Sequence, residues 1–448
     1  MKNLHKLLFL ALLLTFFQTH SQSHFTLKPS QNLKHLPALQ SFVLGQSGNY
    51  WLLIGGRTNG FHGFGSATNF PFKKANKFVY VYNTATNKLD SMATSLLPTV
   101  LREQYTSSNM QHFQVGNYLY ISGGYGEYHA KLPDSTYTTY STLSRVNVAQ
   151  IINAVLTKNF IKFRTSVVYA NEKLTASTGG EMYKLPDGKF YLVLGHRFNG
   201  IYTADSTGGK TRQVYLDSVH VFKLMETPSS IAITPGSRQY ISDNLPDNTT
   251  QFRRRDLLVV PAIQRGGQGV SLTVYGGVFT AGAGVPFRNP IYLKGGAIPS
   301  YQLDKTYTQT SNIYATANVE MYDAARDVML TTAFGGIGED TSTTSGSGDA
   351  FTQKIMTIKR NNRTNLTTES LNPTGTPTYM GSESIFIPAS NVPMYNTNYG
   401  VMNYNAMPAG KPKLIGYIYG GIVSNGTGWS PSNPTIPSKM VYEVYFTK

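Results

Sequence analysis

The sequence predicts an all-β fold made of six copies of one structural unit, and three observations support this prediction. An apolar run that ends at a glycine pair, or at a close variant of one, recurs six times at intervals of roughly 60 to 85 residues. Nearly every apolar segment is short, rich in Val, Ile, Tyr and Phe, and bounded by Gly, Pro, Asn or Asp, which is typical of strands. Only residues 148–158 have a helical pattern, so an alternation of strands and helices is not indicated. The second-strand glycines of the six units are Gly55, Gly123, Gly195, Gly276, Gly335 and Gly420.

The sequence also indicates the order of the elements within a unit. A first strand such as 182–185 is followed by a turn at 186–188, by the strand that ends in glycine, by a longer polar loop and by a third strand. The glycine pair at 295–296 lies too close to Gly276 to begin another unit, and we expect it to end the third strand of the fourth unit. The predicted third strands are 78–82, 143–148, 218–224, 354–359 and 440–446.

The glycine pairs and the strand rhythm resemble those of the Kelch-repeat β-propellers, whose repeat carries a glycine doublet at the end of its second strand. The resemblance covers nearly the whole chain, but the tryptophan usual in the last strand of such a repeat is missing, since only Trp51 and Trp429 are present. It implies a six-bladed Kelch-like β-propeller. Because the chain ends on a third-strand pattern, we expect residues 24–30 to supply the outer strand of the last blade and close the ring.

The first 21 residues have the pattern of a signal peptide. Lys2 and Lys6 precede an apolar run at 7–17, which is too short to span a bilayer, and small polar residues follow up to Ser21. We therefore predict one domain over 22–448 that is secreted or periplasmic. The chain has no cysteine, so a lipid-modified cysteine, disulfides and thiolate metal sites are excluded.

The chain is basic, with 39 Lys and Arg against 23 Asp and Glu. Removing Lys2 and Lys6 leaves 37 basic residues and a net charge of +14. This charge favours either solubility or binding of acidic polymers. The absence of a dense basic run argues against specific nucleic-acid binding.

Counting back from each glycine pair to the start of the first strand of its unit leads to a polar residue in all six units. In a propeller these positions face the mouth of the central channel, so we expect them to form a ring. They either bond backbone groups at the blade junctions or form a ligand or cation site, and arginines of the inter-blade loops (Arg102 and 253–255) could pair with them. The six predicted ring residues are Ser41, Asn109, Glu181, Asp256, Glu320 and Glu383.

Long loops after the second strands carry aromatic and basic residues. We expect the loops at 57–76, 125–141, 196–213 and 278–290 to open on one face, because binding residues often lie on loops of a rigid scaffold. The predicted ligand-binding residues on this face are Arg57, His62, Arg197 and Arg288.

The pattern favours an exported module that binds a glycan or a protein through its loop face, as a monomer without a membrane span, cofactor or metal. No nucleotide-binding, hydrolase or His-based metal motif is present. Kelch-type propellers also include galactose oxidase, whose cofactor requires a cysteine that this chain lacks, and sialic-acid mutarotases. The latter resemblance implies the alternative, a sugar mutarotase or epimerase, in which Glu181 and Glu320 would be the catalytic residues beside Arg57 and Arg197.

Overall fold

The computed structural model describes residues 23–63, 70–128, 136–202, 212–281, 284–338, 350–428 and 434–448. The predicted signal peptide lies outside this part of the chain. The described residues form many small antiparallel sheets and only short helices, as in propeller-like folds. The all-β prediction is therefore confirmed.

Seven of the sheets contain a run of four antiparallel strands. Six of them correspond to the predicted units, and we number these six along the chain by their first strand. Sheet 1 comprises Val43–Ser47, Tyr50–Ile54, Phe78–Asn83 and Lys88–Ala93. Sheet 2 comprises Gln111–Val115, Tyr118–Ser122, Thr142–Asn147 and Val167–Asn171. Sheet 3 comprises Glu181–Lys184, Phe190–Val193, Val219–Phe222 and Gln239–Ile241. Sheet 4 comprises Leu258–Ile263, Val270–Tyr275, Ile291–Lys294 and Ser300–Leu303. Sheet 5 comprises Asn318–Asp323, Val328–Ile337, Phe351–Asn361 and Thr367–Leu371. Sheet 6 comprises Ser384–Pro388, Lys413–Gly420, Val441–Thr447 and His24–Pro29.

The five predicted third strands are all third strands of their sheets. The pair Gly295–Gly296 follows directly on Ile291–Lys294, so it ends a third strand as expected. The helical pattern at 148–158 gives the helix Val148–Leu156, where the Asn147 side chain accepts a hydrogen bond from the Gln150 backbone N–H (3.1 Å).

Sheet 6 is assembled from the two ends of the described chain. His24–Pro29 pairs antiparallel with Val441–Thr447, as predicted. The Phe25 side chain is buried, and its ring centroid lies 5.3 Å from that of Phe334 and 5.0 Å from that of Phe446. This strand therefore carries part of the apolar packing between sheets 5 and 6.

The glycine pairs lie where one sheet meets the segment that leads into the next. The Gly124 N–H donates to the Ser177 carbonyl oxygen (2.9 Å), and the Gly421 N–H donates to the Leu39 oxygen (2.9 Å). Gly123 has a φ of +68°, and a Cβ placed on it would overlap the Ser177 carbonyl oxygen. Glycine is required here both by backbone conformation and by the close approach of the next segment.

We expect Gly123→Ala to lower the free energy of unfolding by more than about 3 kcal/mol, because strain at positive φ is added to a clash with backbone. Gly116 is a matched control, since its φ is +56° and the space around its Cβ position is open. Gly116→Ala should cost only the conformational strain of about 1–2 kcal/mol. Equal effects of the two changes in chemical denaturation would contradict the explanation by close approach.

Two predicted loops contain strands, which is a correction to the sequence analysis. Four strands from the segments after the second strands of sheets 2 and 3 form an additional sheet, which we call the loop-face sheet. Tyr-rich and Thr-rich segments pair readily, so polar composition alone did not distinguish strand from loop. The strands of the loop-face sheet are Tyr125–Tyr128, Thr136–Thr139, His196–Asn199 and Arg212–Tyr215.

The remaining strands and helices are additions to the six sheets. Val401–Asn403 pairs in parallel with the first strand of sheet 5 and antiparallel with Met394–Asn396, so the connection within sheet 6 adds to its neighbour. Two two-stranded hairpins are Leu224–Thr227 with Ser230–Ile233, and Ile422–Val423 with Ile436–Pro437. The other two α-helices of the described residues are Thr99–Gln104 and Phe160–Thr165.

Candidate functional site

Backbone hydrogen bonds join the residues that enter the first strands of successive sheets. The Asn109 N–H donates to the Ser41 carbonyl oxygen (3.2 Å), and the Gly179 N–H donates to the Asn109 oxygen (3.4 Å). The Asp256 N–H donates to the Gly179 oxygen (2.7 Å). Glu383 bonds Ala315 in the same way (2.9 Å). We call this set the junction positions: Ser41, Asn109, Gly179, Asp256, Ala315 and Glu383.

Two of the six predicted ring residues are not junction positions. Glu181 lies two residues beyond Gly179, and Glu320 lies five residues beyond Ala315. Counting back from the glycine pair gave wrong equivalences for two reasons. The hairpins between the first and second strands differ in length. In sheet 3, Leu194, with a φ of +59°, stands where the other units have the first glycine of the pair. The junction bonds, not the count, establish which positions are equivalent.

All six predicted ring residues nevertheless line one cavity of about 970 Å³. The cavity runs along the first strands from the junction positions to the hairpin turns at Gly116 and Gly188. Its volume is at the upper end of the range for small-molecule sites. We call it the central cavity.

Glu383 is hydrogen-bonded to two other predicted ring residues at the junction end of the central cavity. Its Oε2 accepts hydrogen bonds from Ser41 Oγ (2.7 Å) and Asn109 Nδ2 (3.3 Å). Burial and the negative charge of Asp256 raise the pKa of Glu383 to about 7, although the two hydrogen bonds oppose the shift. Asp256 itself forms an ion pair with Arg255.

Glu181 and Glu320 lie deeper in the central cavity. Burial raises the pKa of Glu320 to about 8, and burial together with the charge of Glu383 raises that of Glu181 to about 8. Glu320 is 7% exposed, and its Oε1 is buried without a hydrogen-bond partner among the described residues. Both groups are therefore poised to hold or release a proton near neutral pH.

Five Phe and Tyr residues also line the central cavity, and the sequence analysis missed them; three of them, Phe113, Tyr183 and Tyr399, form a cluster. The rings of Phe113 and Tyr183 have centroids 5.1 Å apart, and Tyr399 stacks on Phe113 at 5.9 Å. Phe113 and Tyr183 each lie four residues after a junction position, so a correct alignment of the units would have found them. Tyr399 comes from the connection within sheet 6, which has no counterpart in the other sheets.

A second, smaller cavity of about 120 Å³ lies on the other side of the junction positions. His62 belongs to its wall and stacks on Phe61 (4.7 Å) and Phe70 (4.9 Å), with the edge of Tyr202 at 4.8 Å. Burial lowers the pKa of His62 to about 4, so this imidazole is neutral at pH 7. We call this space the loop-face pocket.

The predicted binding arginines do not converge on either cavity. Arg57 is buried, donates to Asn59 Oδ1 (3.0 Å) and the Pro71 carbonyl oxygen (3.0 Å), and lies over the Phe70 ring. Arg197 donates to the Ala176 carbonyl oxygen (3.0 Å). Neither residue, nor Arg288, lines the central cavity or the loop-face pocket.

The predicted pairing of loop arginines with ring acids is correct only for Arg255. Arg253 pairs with Asp247, whereas Arg254 is fully buried and donates to the carbonyl oxygens of Gly276 (3.0 Å) and Asn289 (2.8 Å). Arg254 thus holds sheet 4 together and is not available to a ligand. Arg102 lies on the helix Thr99–Gln104, away from the central cavity.

Two further findings apply to the described part of the chain. No three of its His, Asp or Glu side chains are grouped so that they could hold a metal ion. None of its helices combines the length and the apolar character that crossing a bilayer requires.

No protein-family model and no curated protein sequence matches the chain. Among solved structures, the one described as the structure of YjhT is 10% identical, with a TM-score of 0.45, and the alignment covers 91% of this chain and 99% of that one. A fungal alcohol oxidase of the AA5 family, solved in complex with copper, is 9% identical with a TM-score of 0.41, and the alignment covers 94% of this chain and 76% of that one.

Proposed function

We propose that sheets 1 to 6 are the blades of one closed, Kelch-like propeller and that the central cavity is its axial channel. Each junction bond described above joins the first strand of one sheet to that of the next. The bond from Gly421 to Leu39 and the one from Ser41 to Glu383 join sheet 6 to sheet 1. A closed ring leaves no sheet edge free at this seam.

We further propose that the protein is exported and binds a carbohydrate in the central cavity. The observation that carries this proposal is a cavity of about 970 Å³ in which aromatic faces and carboxyl groups lie together. The faces of Phe113 and Tyr399 can pack on the apolar side of a sugar ring, while the carboxyl oxygens of Glu181, Glu320 and Glu383 accept hydrogen bonds from hydroxyl groups.

This proposal moves binding from the loop face to the channel. On the loop face, the aromatic residues His62, Phe61 and Phe70 pack on one another, and the small loop-face pocket leaves little room for a sugar ring. Arg57, expected to bind a ligand there, is occupied by its own loop. The central cavity offers the larger and more polar volume.

We expect Phe113→Ala to weaken binding of a tri- or tetrasaccharide about 3- to 10-fold, because packing on an aromatic ring contributes about 0.5–1.5 kcal/mol. Isothermal titration with a panel of neutral oligosaccharides measures the effect. Phe78→Ala is the matched control, since Phe78 is 42% exposed and lies outside the cavity. Equal affinities of the two variants, or a panel without any ligand, would overturn the proposal.

A second candidate is an enzyme that interconverts the anomers or epimers of a sugar. The specific observation in its favour is that burial holds the pKa of both Glu181 and Glu320 at about 8, which suits general acid–base catalysis near neutral pH. In the interconversion of anomers, one carboxyl group would protonate the ring oxygen while the other, ionised, would take the proton of the anomeric hydroxyl, so that the bond between the anomeric carbon and the ring oxygen breaks and the open-chain carbonyl form results. Closure of the ring on the other face of the carbonyl would return both protons.

If the protein is such an enzyme, Glu181→Gln is expected to lower the rate of anomer interconversion at least 100-fold while leaving affinity within a few fold. Polarimetry or NMR of a freshly dissolved sugar measures the rate. If the unaltered protein does not accelerate anomer interconversion above the uncatalysed rate, the enzyme proposal is wrong and the binding proposal is unaffected.

A further inference from the structure

We propose that the central cavity selects sugars that carry a free amine, so that an ammonium group binds among its carboxyl groups. This inference rests on the proposed function and names the class of carbohydrate. It depends on three features of the cavity wall, which are its charge, one unpartnered oxygen and its aromatic faces.

The first feature is the charge of the wall. Four acidic residues line the cavity, and only Asp256 has a cationic partner, Arg255. Lys184 also belongs to the lining, but its ammonium group lies 5.3 Å from the centre of the Phe190 ring, on which it packs. The remaining three carboxyl groups, those of Glu181, Glu320 and Glu383, have no ion-pair partner among the described residues.

The neutral groups of the wall do not change this balance. Burial lowers the pKa of His112 to about 4, so this imidazole is uncharged at pH 7. Burial, followed by the charges of Glu181 and Glu320, raises the pKa of Tyr183, so its hydroxyl group is uncharged at pH 7. The wall is therefore acidic although the chain as a whole is strongly basic.

The second feature is Glu320 itself. Its side chain is more than nine-tenths buried, lines the cavity, and leaves Oε1 without a hydrogen-bond donor among the described residues. A buried polar atom without a partner is costly, about 1–3 kcal/mol, and native structures usually explain such an atom by a ligand, water or ion. Oε1 has almost no accessible surface, so an ammonium group, which supplies up to three donors, reaches this carboxyl group when the Glu320 side chain turns toward the cavity.

The third feature is the aromatic cluster. Phe113, Tyr183 and Tyr399 line the same cavity as Glu320 and contact one another through their rings. Aromatic faces attract ammonium groups through the ring quadrupole, and they also pack on the sugar ring that carries the amine. Carboxyl groups and aromatic faces together therefore fit an amino sugar better than a neutral or an acidic one.

Binding of an ammonium group also resolves the crowding of the carboxyl groups. Like charges raise one another's pKa, whereas an opposite charge within a few ångströms favours the ionised form. An ammonium group entering the cavity would therefore ionise carboxyl groups that hold protons in its absence. An anionic sugar gains no such attraction, because its charge favours the protonated, neutral forms of these carboxyl groups.

Two trisaccharides test the inference because they differ only in the group on C2. The trimer of β-1,4-linked glucosamine carries free amines, and the trimer of N-acetylglucosamine carries neutral acetamides. At pH 7 and low salt we expect the amine form to bind at least 10-fold more tightly in isothermal titration. Adding 0.5 M NaCl should reduce this preference, because charge–charge attraction is screened.

Glu320→Gln should reduce the ratio of the affinity for the amine form to that for the acetylated form at least 5-fold, because glutamine keeps hydrogen-bonding groups but carries no charge. Asp90→Asn is the matched control, since it removes one negative charge from an exposed ion pair with Lys158 outside the cavity and should change neither affinity. Equal affinity for both trimers, or an unchanged preference in Glu320→Gln, would overturn this inference and leave carbohydrate binding in place. Failure of both trimers to bind in the cavity would overturn the inference and count against the proposed function as well.

Discussion

Phe25→Ala is expected to lower the free energy of unfolding by about 3–5 kcal/mol, which is the usual cost of removing a buried phenylalanine ring. Phe25 is 4% exposed and packs against Phe334 in sheet 5 and Phe446 in sheet 6. The strand that carries it is the outermost strand of sheet 6 and is the only part of that sheet from the beginning of the described chain. Urea denaturation followed by circular dichroism measures the change.

Phe78→Ala provides the comparison for this prediction. Phe78 also lies on a strand but is 42% exposed, so its truncation should cost less than about 1 kcal/mol. If Phe25→Ala were no more destabilising than Phe78→Ala, the pairing of His24–Pro29 with Val441–Thr447 would not contribute to stability. The proposed seam would then be wrong.

Glu320→Gln is expected to stabilise the protein by about 2 kcal/mol or more at pH 9 and to have little effect at pH 5. Burial raises the pKa of Glu320 from 4.5 to about 8, so between these values the folded state holds a proton that the unfolded state has released. The unfolded state binds fewer protons in this window, and stability therefore falls as pH rises through it. One pKa unit corresponds to about 1.4 kcal/mol, and glutamine keeps the shape without the charge.

Thermal or urea unfolding of both proteins at pH 5 and pH 9 tests this prediction. Asp90→Asn makes the same change of formal charge at an exposed ion pair, where effects are about 0–1 kcal/mol, and should change stability little at either pH. A Glu320→Gln variant that is destabilised at pH 9 would show that the ionised carboxylate is satisfied in the folded state. The idea that Glu320 Oε1 lacks a partner would then fail.

The all-β fold and its strands could be predicted from the sequence because each glycine pair has a local physical cause. Gly123 must adopt a positive φ while a carbonyl oxygen of the next unit approaches it, so the residue type itself reports the junction between two sheets. The loop-face sheet could not be predicted in the same way. Its pairing depends on contacts such as that of Asn199 with Thr138, which join two different units.

The candidate site could be predicted only in part. Ser41, Asn109, Asp256 and Glu383 are junction positions, as expected, because each lies one or two residues before a first strand. Glu181 and Glu320 belong to the cavity for a different reason, which is their place within the strands. The register between units, set by hairpin lengths, decides which side chains face the channel, and it is not encoded by any single residue.

The arginines illustrate a further limit. Arg57 and Arg254 are conspicuous in the sequence as cations in loops, but both are buried and bond backbone carbonyl oxygens. A basic side chain in a loop can bind a ligand or hold the loop, and only tertiary contacts distinguish the two. Phe113 and Tyr399, by contrast, are ordinary aromatic residues in the sequence and line the cavity in the structure.

A crystal structure of the protein grown with the glucosamine trimer tests the central claim most directly, because it shows where the ligand lies. The account predicts a sugar ring against Phe113 or Tyr399 in the central cavity, with an amine nitrogen about 2.7–3.2 Å from a carboxyl oxygen of Glu320. A trimer bound on the loop face around His62, with an empty central cavity, would contradict it.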